Sequence, residues 1–300
     1  VLTLAVLLTG ECPSSTVYAR SSNCCLASMR CQDQWWLVST RGLSCCSTAD
    51  PETFAVDRCG RTTPSSFEPG DPDAAHMLTV VYVHGNRANW WDAIEQGELV
   101  YRNLTSDPST PPLRFVVWTW PADKIRGPLR DIRSKAYRAD CEALYFERFL
   151  QEFSPGSQVS LIGYSYGARI ISGALNEMSV QSGPGRLSAR VAFMAAALHT
   201  HWLAPGQAHQ HAWNQMEHLL LLYNSCDFAL KRYGLVEKCG RPSALGYTGI
   251  GYLDQLGPFA DQVEQWDVCC TVGRSHDECR YLTSPWITEQ IRMHALGLGE

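Results

Sequence analysis

The stretch Val159–Leu175, VSLIGYSYGARIISGAL, contains a strand pattern, a tight corner and a helix pattern in direct succession. Aliphatic and β-branched residues at its start are typical of a buried strand. After the corner, small and aliphatic residues recur at helical spacing. The corner reads Gly-x-Ser-x-Gly, with Ser165 between Gly163 and Gly167. A chain that turns so sharply holds the serine in a strained conformation, and its hydroxyl is expected to project from the carboxyl edge of a sheet.

Apolar runs of strand length alternate with helical patterns from Met77 onward. The predicted strands are MLTVVYVHG, LRFVVWTWP, SQVSLIGYS, ARVAFMAAAL, HLLLLYNSCD and VEQWDVCCTVG. The predicted helices are RDIRSKAYRADCEALYFERFLQEF, GARIISGALNEM and a last one from about Ser284. Alternation of this kind implies a parallel sheet with helices on both faces. We therefore predict an α/β fold with a mostly parallel sheet of about eight strands.

The longest helix pattern carries an apolar stripe opposite charged residues, which predicts the face that packs on the rest of the fold. The stripe consists of Ile132, Ala136, Tyr137, Cys141, Leu144, Tyr145, Phe149 and Phe153.

Composition divides the chain into three parts. Residues 1–19 contain the apolar run VLTLAVLLTG, which is too short to span a bilayer of ~30 Å and fits the middle of a secretory signal cleaved after Ala19. A buried first strand is the alternative. Residues 20–75 form a Cys-rich N-terminal segment that contributes the first strands, QWWLVSTR and TFAVDRC. Residues 76–300 form the main domain. We expect a secreted or cell-envelope protein, periplasmic or extracellular, without an integral membrane segment once the signal is removed.

The cysteine content supports export. Of thirteen cysteines, removal of Cys12 with the signal leaves twelve (13 − 1), and an even number in an exported chain suggests disulfides. No two cysteines have the two-residue gap of a zinc knuckle. Pairing does not follow from spacing alone, although some pairs would close short loops. These candidates are Cys226 with Cys239, and Cys279 with Cys269 or Cys270.

Charge and composition exclude some functions. A formal net charge of −5 and the absence of a basic stripe argue against non-specific binding to nucleic acid. An apolar fraction of 45% with 18% charged residues describes a globular chain. Five histidines between residues 199 and 218 include two His-x-His pairs that could chelate zinc or copper, but we favour a polar loop or cap and predict no metal site. The five are His199, His201, His209, His211 and His218.

An acid and a base follow the serine along the chain. Asp227 comes directly after the apolar strand HLLLLYNSC, and His276 comes just after the next predicted strand. The carboxyl ends of parallel strands meet at one edge, so both side chains are expected beside Ser165. A serine hydroxyl needs such a base to become a nucleophile, and the acid fixes the imidazole tautomer. The rival acids Asp254, Asp261 and Asp267 are predicted on the wrong edge or in a loop, and His294 lies inside the last helix pattern.

The segment VYVHGNRANWW supplies the remaining part of a hydrolytic site. Its His-Gly ends a strand, and the backbone N–H that follows can point at a substrate oxygen. We assign this role to Asn86, with the N–H of Tyr166 as the second donor of an oxyanion hole. Trp90 and Trp91 stand next to this loop and are candidates for substrate binding, with core packing as the alternative.

The order of VHGN, GYSYG, Asp227 and His276 resembles that of the α/β-hydrolase superfamily. FVVWTWP followed by a long helix, together with QWWLVSTR and the paired cysteines, is similar to an uncharacterised bacterial branch of exported serine hydrolases. The resemblance covers about Met77 to Met293. It implies the α/β-hydrolase fold, hydrolysis through an acyl-enzyme and no cofactor. Tyr166 departs from many lipase patterns, which have a smaller residue after the nucleophile, and this weakens the comparison with lipases.

The sequence thus predicts a serine hydrolase, carboxylesterase-like or lipase-like, that acts on small-molecule carboxylic esters through Ser165, Asp227 and His276. Two alternatives remain at this point. The first is a thioesterase, amidase or peptidase with the same triad, because leaving-group preference depends on pocket walls that the sequence does not reveal. The second is a non-catalytic, disulfide-stapled binding protein of the cell surface.

Overall fold

The computed structural model describes residues 29–45, 47–71, 74, 76–185, 187–235 and 240–298. The predicted signal remnant at residues 1–19 lies outside these ranges. Within them, one sheet of nine strands has the order β3-β2-β1-β5-β4-β6-β7-β8-β9. The strands are β1 (Gln34–Ser39), β2 (Glu52–Val56), β3 (Thr62–Pro64), β4 (Leu78–Val83), β5 (Leu113–Thr119), β6 (Ser157–Tyr164), β7 (Leu187–Met194), β8 (Met216–Tyr223) and β9 (Val263–Asp267).

Seven α-helices connect these strands or follow them in the described ranges. They are α1 (Trp90–Leu104), α2 (Pro128–Gln151), α3 (Tyr166–Ser182), α4 (Leu245–Thr248), α5 (Cys269–Val272), α6 (Glu278–Leu282) and α7 (Pro285–Leu296). The last helix begins as predicted, with Ser284 accepting a hydrogen bond from the N–H of Ile287 and Pro285 in the first turn. None of the described helices combines the length and apolar character needed to cross a bilayer.

In the order of the sheet, every pair of neighbouring strands from β1 to β9 is parallel. The exception is β2, which pairs antiparallel with both β1 and β3. The fold is therefore α/β with a mostly parallel sheet, as predicted, but it has nine strands rather than about eight. The strand missing from the prediction is β3, which has three residues and contains Pro64. A proline lacks the N–H that a ladder needs, so the sequence there resembles a connector, and the strand occurs at the sheet edge.

The predicted apolar stripe of α2 is partly wrong. Tyr137 is 65% exposed and Leu144 is 47% exposed, whereas Glu142 is buried. The Glu142 carboxylate accepts a hydrogen bond of 2.6 Å from the Thr40 hydroxyl and forms an ion pair with Arg138. The chain following β1 thus covers the face that carries Glu142, and this polar contact satisfies the buried carboxylate.

Candidate active site

Ser165 occupies the corner between β6 and α3. Its backbone has φ 52° and ψ −113°, a region that residues with a Cβ adopt only when the surroundings enforce it. Two hydrogen bonds hold it there. The Ser165 N–H donates to the Met194 carbonyl over 3.0 Å, and the Ala197 N–H donates to the Ser165 carbonyl over 3.0 Å. The end of β7 therefore fixes the strained corner from both sides.

Three glycines allow the backbone to pack this tightly. A Cβ on Gly163 would lie 2.7 Å from the amide nitrogen of Ala168, and a Cβ on Gly167 would collide with the carbonyl oxygen of Val83. A Cβ on Gly85 would lie 2.6 Å from the Tyr164 ring. The two glycines of the motif are thus required sterically, and the loop after β4 lies directly against the corner.

A serine, a histidine and an aspartate form a continuous relay at this corner. The Oγ of Ser165 lies 3.0 Å from Nε2 of His276, and Nδ1 of His276 lies 2.7 Å from Oδ2 of Asp227. Asp227 is fully buried, and its Oδ1 accepts hydrogen bonds from the N–H groups of Ala229 and Leu230 over 2.8 and 2.9 Å. Because these two donors fix the carboxylate, Oδ2 is held toward the imidazole.

The rival residues are engaged elsewhere. Asp267 ends β9 and so lies at the carboxyl edge, not at the start of its strand as predicted. Its carboxylate accepts from the Ser225 hydroxyl over 2.6 Å and from the Cys269 N–H over 3.0 Å, and no hydrogen bond links it to His276. His294 contacts the Val191 carbonyl, 3.0 Å from its Nε2. Asp254 and Asp261 are exposed.

Asn86 and Tyr166, the predicted oxyanion donors, both line the cavity that contains Ser165 and His276. Asn86 follows Gly85, whose Cα faces the side chain of Ser165. The next N–H, that of Arg87, donates to the Ala122 carbonyl over 2.8 Å and so anchors the loop. The Asn86 N–H donates to no acceptor within the described residues. Tyr166 opens α3, where the positive end of the helix dipole lies.

Trp90 and Trp91 do not line this cavity, so the structure gives no support for substrate binding by either residue. The side chain of Asn89 accepts from the N–H of Trp91 and caps α1, which sets the direction of both tryptophans. Trp90 packs edge-on against Phe54, with ring centroids 5.6 Å apart, and Trp91 is 59% exposed.

Other residues that the sequence did not identify complete the cavity, whose volume is about 390 Å³. Arg232, Arg274 and Phe228 form part of its wall, and Glu278 is buried within its lining. Burial raises the pKa of Glu278 to about 8. Its Oε1 accepts from the Tyr82 hydroxyl over 2.5 Å, whereas Oε2 has no hydrogen-bond partner among the described residues. Only the nearness of these residues to Asp227 and His276 in the chain could have suggested them.

The histidine-rich segment packs beside α3 and lines no part of this cavity, so of the two alternatives, a polar loop or a cap, the structure agrees with the loop. The His209 ring packs at a tilt of 53° against Trp202, with 4.5 Å between ring centroids, and its Nδ1 lies 2.8 Å from the Oγ of Ser172. Burial, followed by the charge of Arg169, lowers the pKa of His209 to about 3. Within the described residues, no group of three or more His, Cys, Asp or Glu side chains is arranged to hold a metal ion.

No disulfide joins two described cysteines. Cys269 and Cys270 are adjacent, with their sulfur atoms 3.9 Å apart. Cys239, the predicted partner of Cys226, lies outside the described residues, as do Cys12, Cys24, Cys25 and Cys46. The structure therefore does not contain the predicted bond of Cys279 to Cys269 or Cys270, and the pairing of Cys226 with Cys239 stays a prediction.

Comparisons with known proteins give little beyond the fold description. No family model and no curated protein matches the chain. Among solved structures, a bacterial heroin esterase is similar over 88% of this chain and 82% of its own, with 12% sequence identity and a TM-score of 0.40. A similarity at this level does not define the function of the chain.

Proposed function

We propose that this protein is a serine hydrolase that cleaves carboxylic esters through an acyl-enzyme, with the α/β-hydrolase arrangement of catalytic residues. The proposal rests on one observation: Ser165 is hydrogen-bonded to His276, and His276 is hydrogen-bonded to the buried Asp227. Ser165 and His276 line a cavity. Nucleophile, base and acid in this order are the groups that acyl transfer needs.

In the proposed reaction, the Oγ of Ser165 attacks the acyl carbonyl while Nε2 of His276 accepts its proton. The Asp227 carboxylate accepts a hydrogen bond from the Nδ1–H of His276 and stabilises the imidazolium that forms. The N–H groups of Asn86 and Tyr166 receive the oxyanion of the tetrahedral intermediate. His276 then protonates the departing alcohol, and a water molecule, deprotonated by the same imidazole, releases the acid and restores Ser165.

A fluorophosphonate probe tests this proposal, because it reacts covalently with activated serines. We expect labelling of the wild-type protein, loss of labelling in Ser165→Ala, and retained labelling in Ser172→Ala. Ser172 is a matched control because its hydroxyl also contacts a histidine nitrogen, at 2.8 Å. A folded wild-type protein that is not labelled would favour the non-catalytic binding protein instead.

A further inference from the structure

Two guanidinium groups lie against one aromatic ring in the cavity wall. The Cζ of Arg274 is 3.8 Å from the centroid of the Phe228 ring, and the Cζ of Arg232 is 5.1 Å from it. Arg232 also donates to the Phe228 carbonyl over 2.8 Å, and the Phe228 N–H donates to the Arg274 carbonyl over 3.1 Å. These contacts orient both side chains and connect the loop that carries Asp227 with the loop that carries His276.

Neither of these two arginines forms an ion pair with another described charge around the cavity. Arg87 is paired with the buried Asp131 at 2.8 Å. The Asp277 carboxylate caps α6 and accepts from the Cys279 N–H over 3.1 Å. Burial raises the pKa of Glu278 to about 8, which favours the uncharged form of its carboxyl at neutral pH. Within the described residues, neither Arg232 nor Arg274 has a carboxylate at ion-pair distance.

Apolar side chains form part of the remaining wall, beside polar residues such as Gln96 and Ser275. Leu129 and Ile132 from α2 line the same cavity, as does Leu235, which ends the short helical segment that carries Arg232. A cavity of about 390 Å³ holds a small ligand, and its combination of apolar lining with two guanidinium groups favours a ligand with a short apolar part and an anionic end. Guanidinium groups bind carboxylate and phosphate oxygens in a bidentate manner, which gives both affinity and orientation.

We infer that the substrate is a small ester with a second, anionic group, a carboxylate or a phosphate, which binds to the part of the cavity wall that carries Arg232 and Arg274 while Ser165 attacks the ester carbonyl. This inference rests on the proposed function for its chemistry and names the substrate class of the same site. The anionic group takes no part in the bond changes. It orients the ester, so that hydrolysis yields an alcohol and an acid, one of which retains the charge.

Matched substrates test the inference. 4-Nitrophenyl hemiglutarate is compared with 4-nitrophenyl valerate for an anion in the acyl part, and 4-acetoxybenzoate with 4-methylphenyl acetate for an anion in the alcohol part. Phenyl acetate with a 4-phosphate distinguishes phosphate from carboxylate. For at least one pair we expect kcat/KM of the wild-type protein to favour the anionic ester by about tenfold or more, and high salt to reduce the ratio.

Variants show which residues cause the preference for the anionic ester. The Arg232→Gln, Arg274→Gln double variant should lose the preference, with the ratio falling to about one. Arg130→Gln removes an exposed arginine of α2 that does not line the cavity, and it should keep the wild-type ratio. An unchanged ratio in the double variant, or a wild-type preference for the neutral ester in every pair, would overturn the inference.

Binding measured without turnover separates this inference from the proposed function. Calorimetry of the Ser165→Ala protein with each intact ester should show tighter binding of the anionic member, lost in the triple variant that also carries both glutamines. If no wild-type turnover and no fluorophosphonate labelling occur while this binding preference persists, the proposed function fails and the anion site stands. If labelling occurs without any binding preference, the proposed function stands and the anion site fails.

Discussion

Two serine–histidine pairs lie seven residues apart along the corner and α3, and they have almost the same hydrogen-bond geometry. The Oγ of Ser165 is 3.0 Å from Nε2 of His276, and the Oγ of Ser172 is 2.8 Å from Nδ1 of His209. The pairs differ in their surroundings. His276 contacts the carboxylate of Asp227 and faces the cavity, whereas His209 packs against Trp202 and Gly173, away from the cavity wall.

From this difference we expect that a short serine–histidine contact does not by itself make a nucleophile. The histidine of the first pair contacts a buried carboxylate, and the pair lines a cavity with space for a substrate. At the second pair, burial lowers the pKa of His209 to about 3, so its imidazole resists the proton that a general base must accept. Reactivity therefore depends on what the histidine touches on its far side.

Replacement of each serine by alanine tests the comparison most strongly. Ser165→Ala should lower kcat for ester hydrolysis by about 10⁴-fold or more, because the attacking oxygen is lost. Ser172→Ala should keep kcat and lower the free energy of unfolding by ~1–3 kcal/mol, because Nδ1 of His209 loses its partner. Steady-state kinetics and urea unfolding measure the two effects. A large loss of kcat in a stable Ser172→Ala protein would break the distinction between the pairs.

Replacement of the acid sharpens the comparison with a smaller effect. Asp227→Asn keeps the shape of the side chain but favours the wrong imidazole tautomer, so kcat should fall by up to about 10⁴-fold with little change in KM. Asp267→Asn is the matched control, since Asp267 ends the neighbouring strand β9 and holds Ser225 instead of a histidine. Its kcat should equal that of the wild-type protein. Equal losses in both variants would argue against Asp227 as the acid of the relay.

The pair of Ser172 and His209 should affect how the free energy of unfolding depends on pH. This is the smallest of the expected effects. Since the folded pKa of His209 is lowered from 6.5 to about 3, only the unfolded chain binds this proton between these values. Stability from this group is therefore present above about pH 6.5 and is lost as the pH falls toward 3, with ~1.4 kcal/mol for each pKa unit. His209→Gln should flatten the decline in unfolding free energy between pH 7 and 4, measured by urea unfolding.

The control for this experiment is His201→Gln, because His201 is an exposed histidine of the same segment. Its pH slope should match the wild-type slope. The slope of His209→Gln should not vanish, because burial also lowers the pKa of His84 to about 3. Identical slopes for all three proteins would mean that His209 is not held neutral in the folded state.

Much of the fold was accessible from the sequence because it depends on local periodicity. Continuous apolar runs identified β4, β5, β6, β7 and β8, and Pro285 marked the start of α7. Predictions failed where partners distant in the chain decide the outcome. Glu142 of α2 is buried against Thr40 while Tyr137 is exposed, and Trp90 packs against Phe54, which is the alternative to substrate binding. Neither contact has a signature in the local sequence of α2 or of α1.

The sequence by itself determined a tight corner at Ser165 between a strand and a helix, and it placed an acid and a base after later strands. The tertiary structure alone decided which histidine meets which serine, and it gathered Arg232 and Arg274 around Phe228. The physical reason is the distance along the chain over which each property is decided. Backbone conformation follows from sterics over a few residues, whereas charge, burial and cavity shape arise from segments that meet only when the sheet has formed.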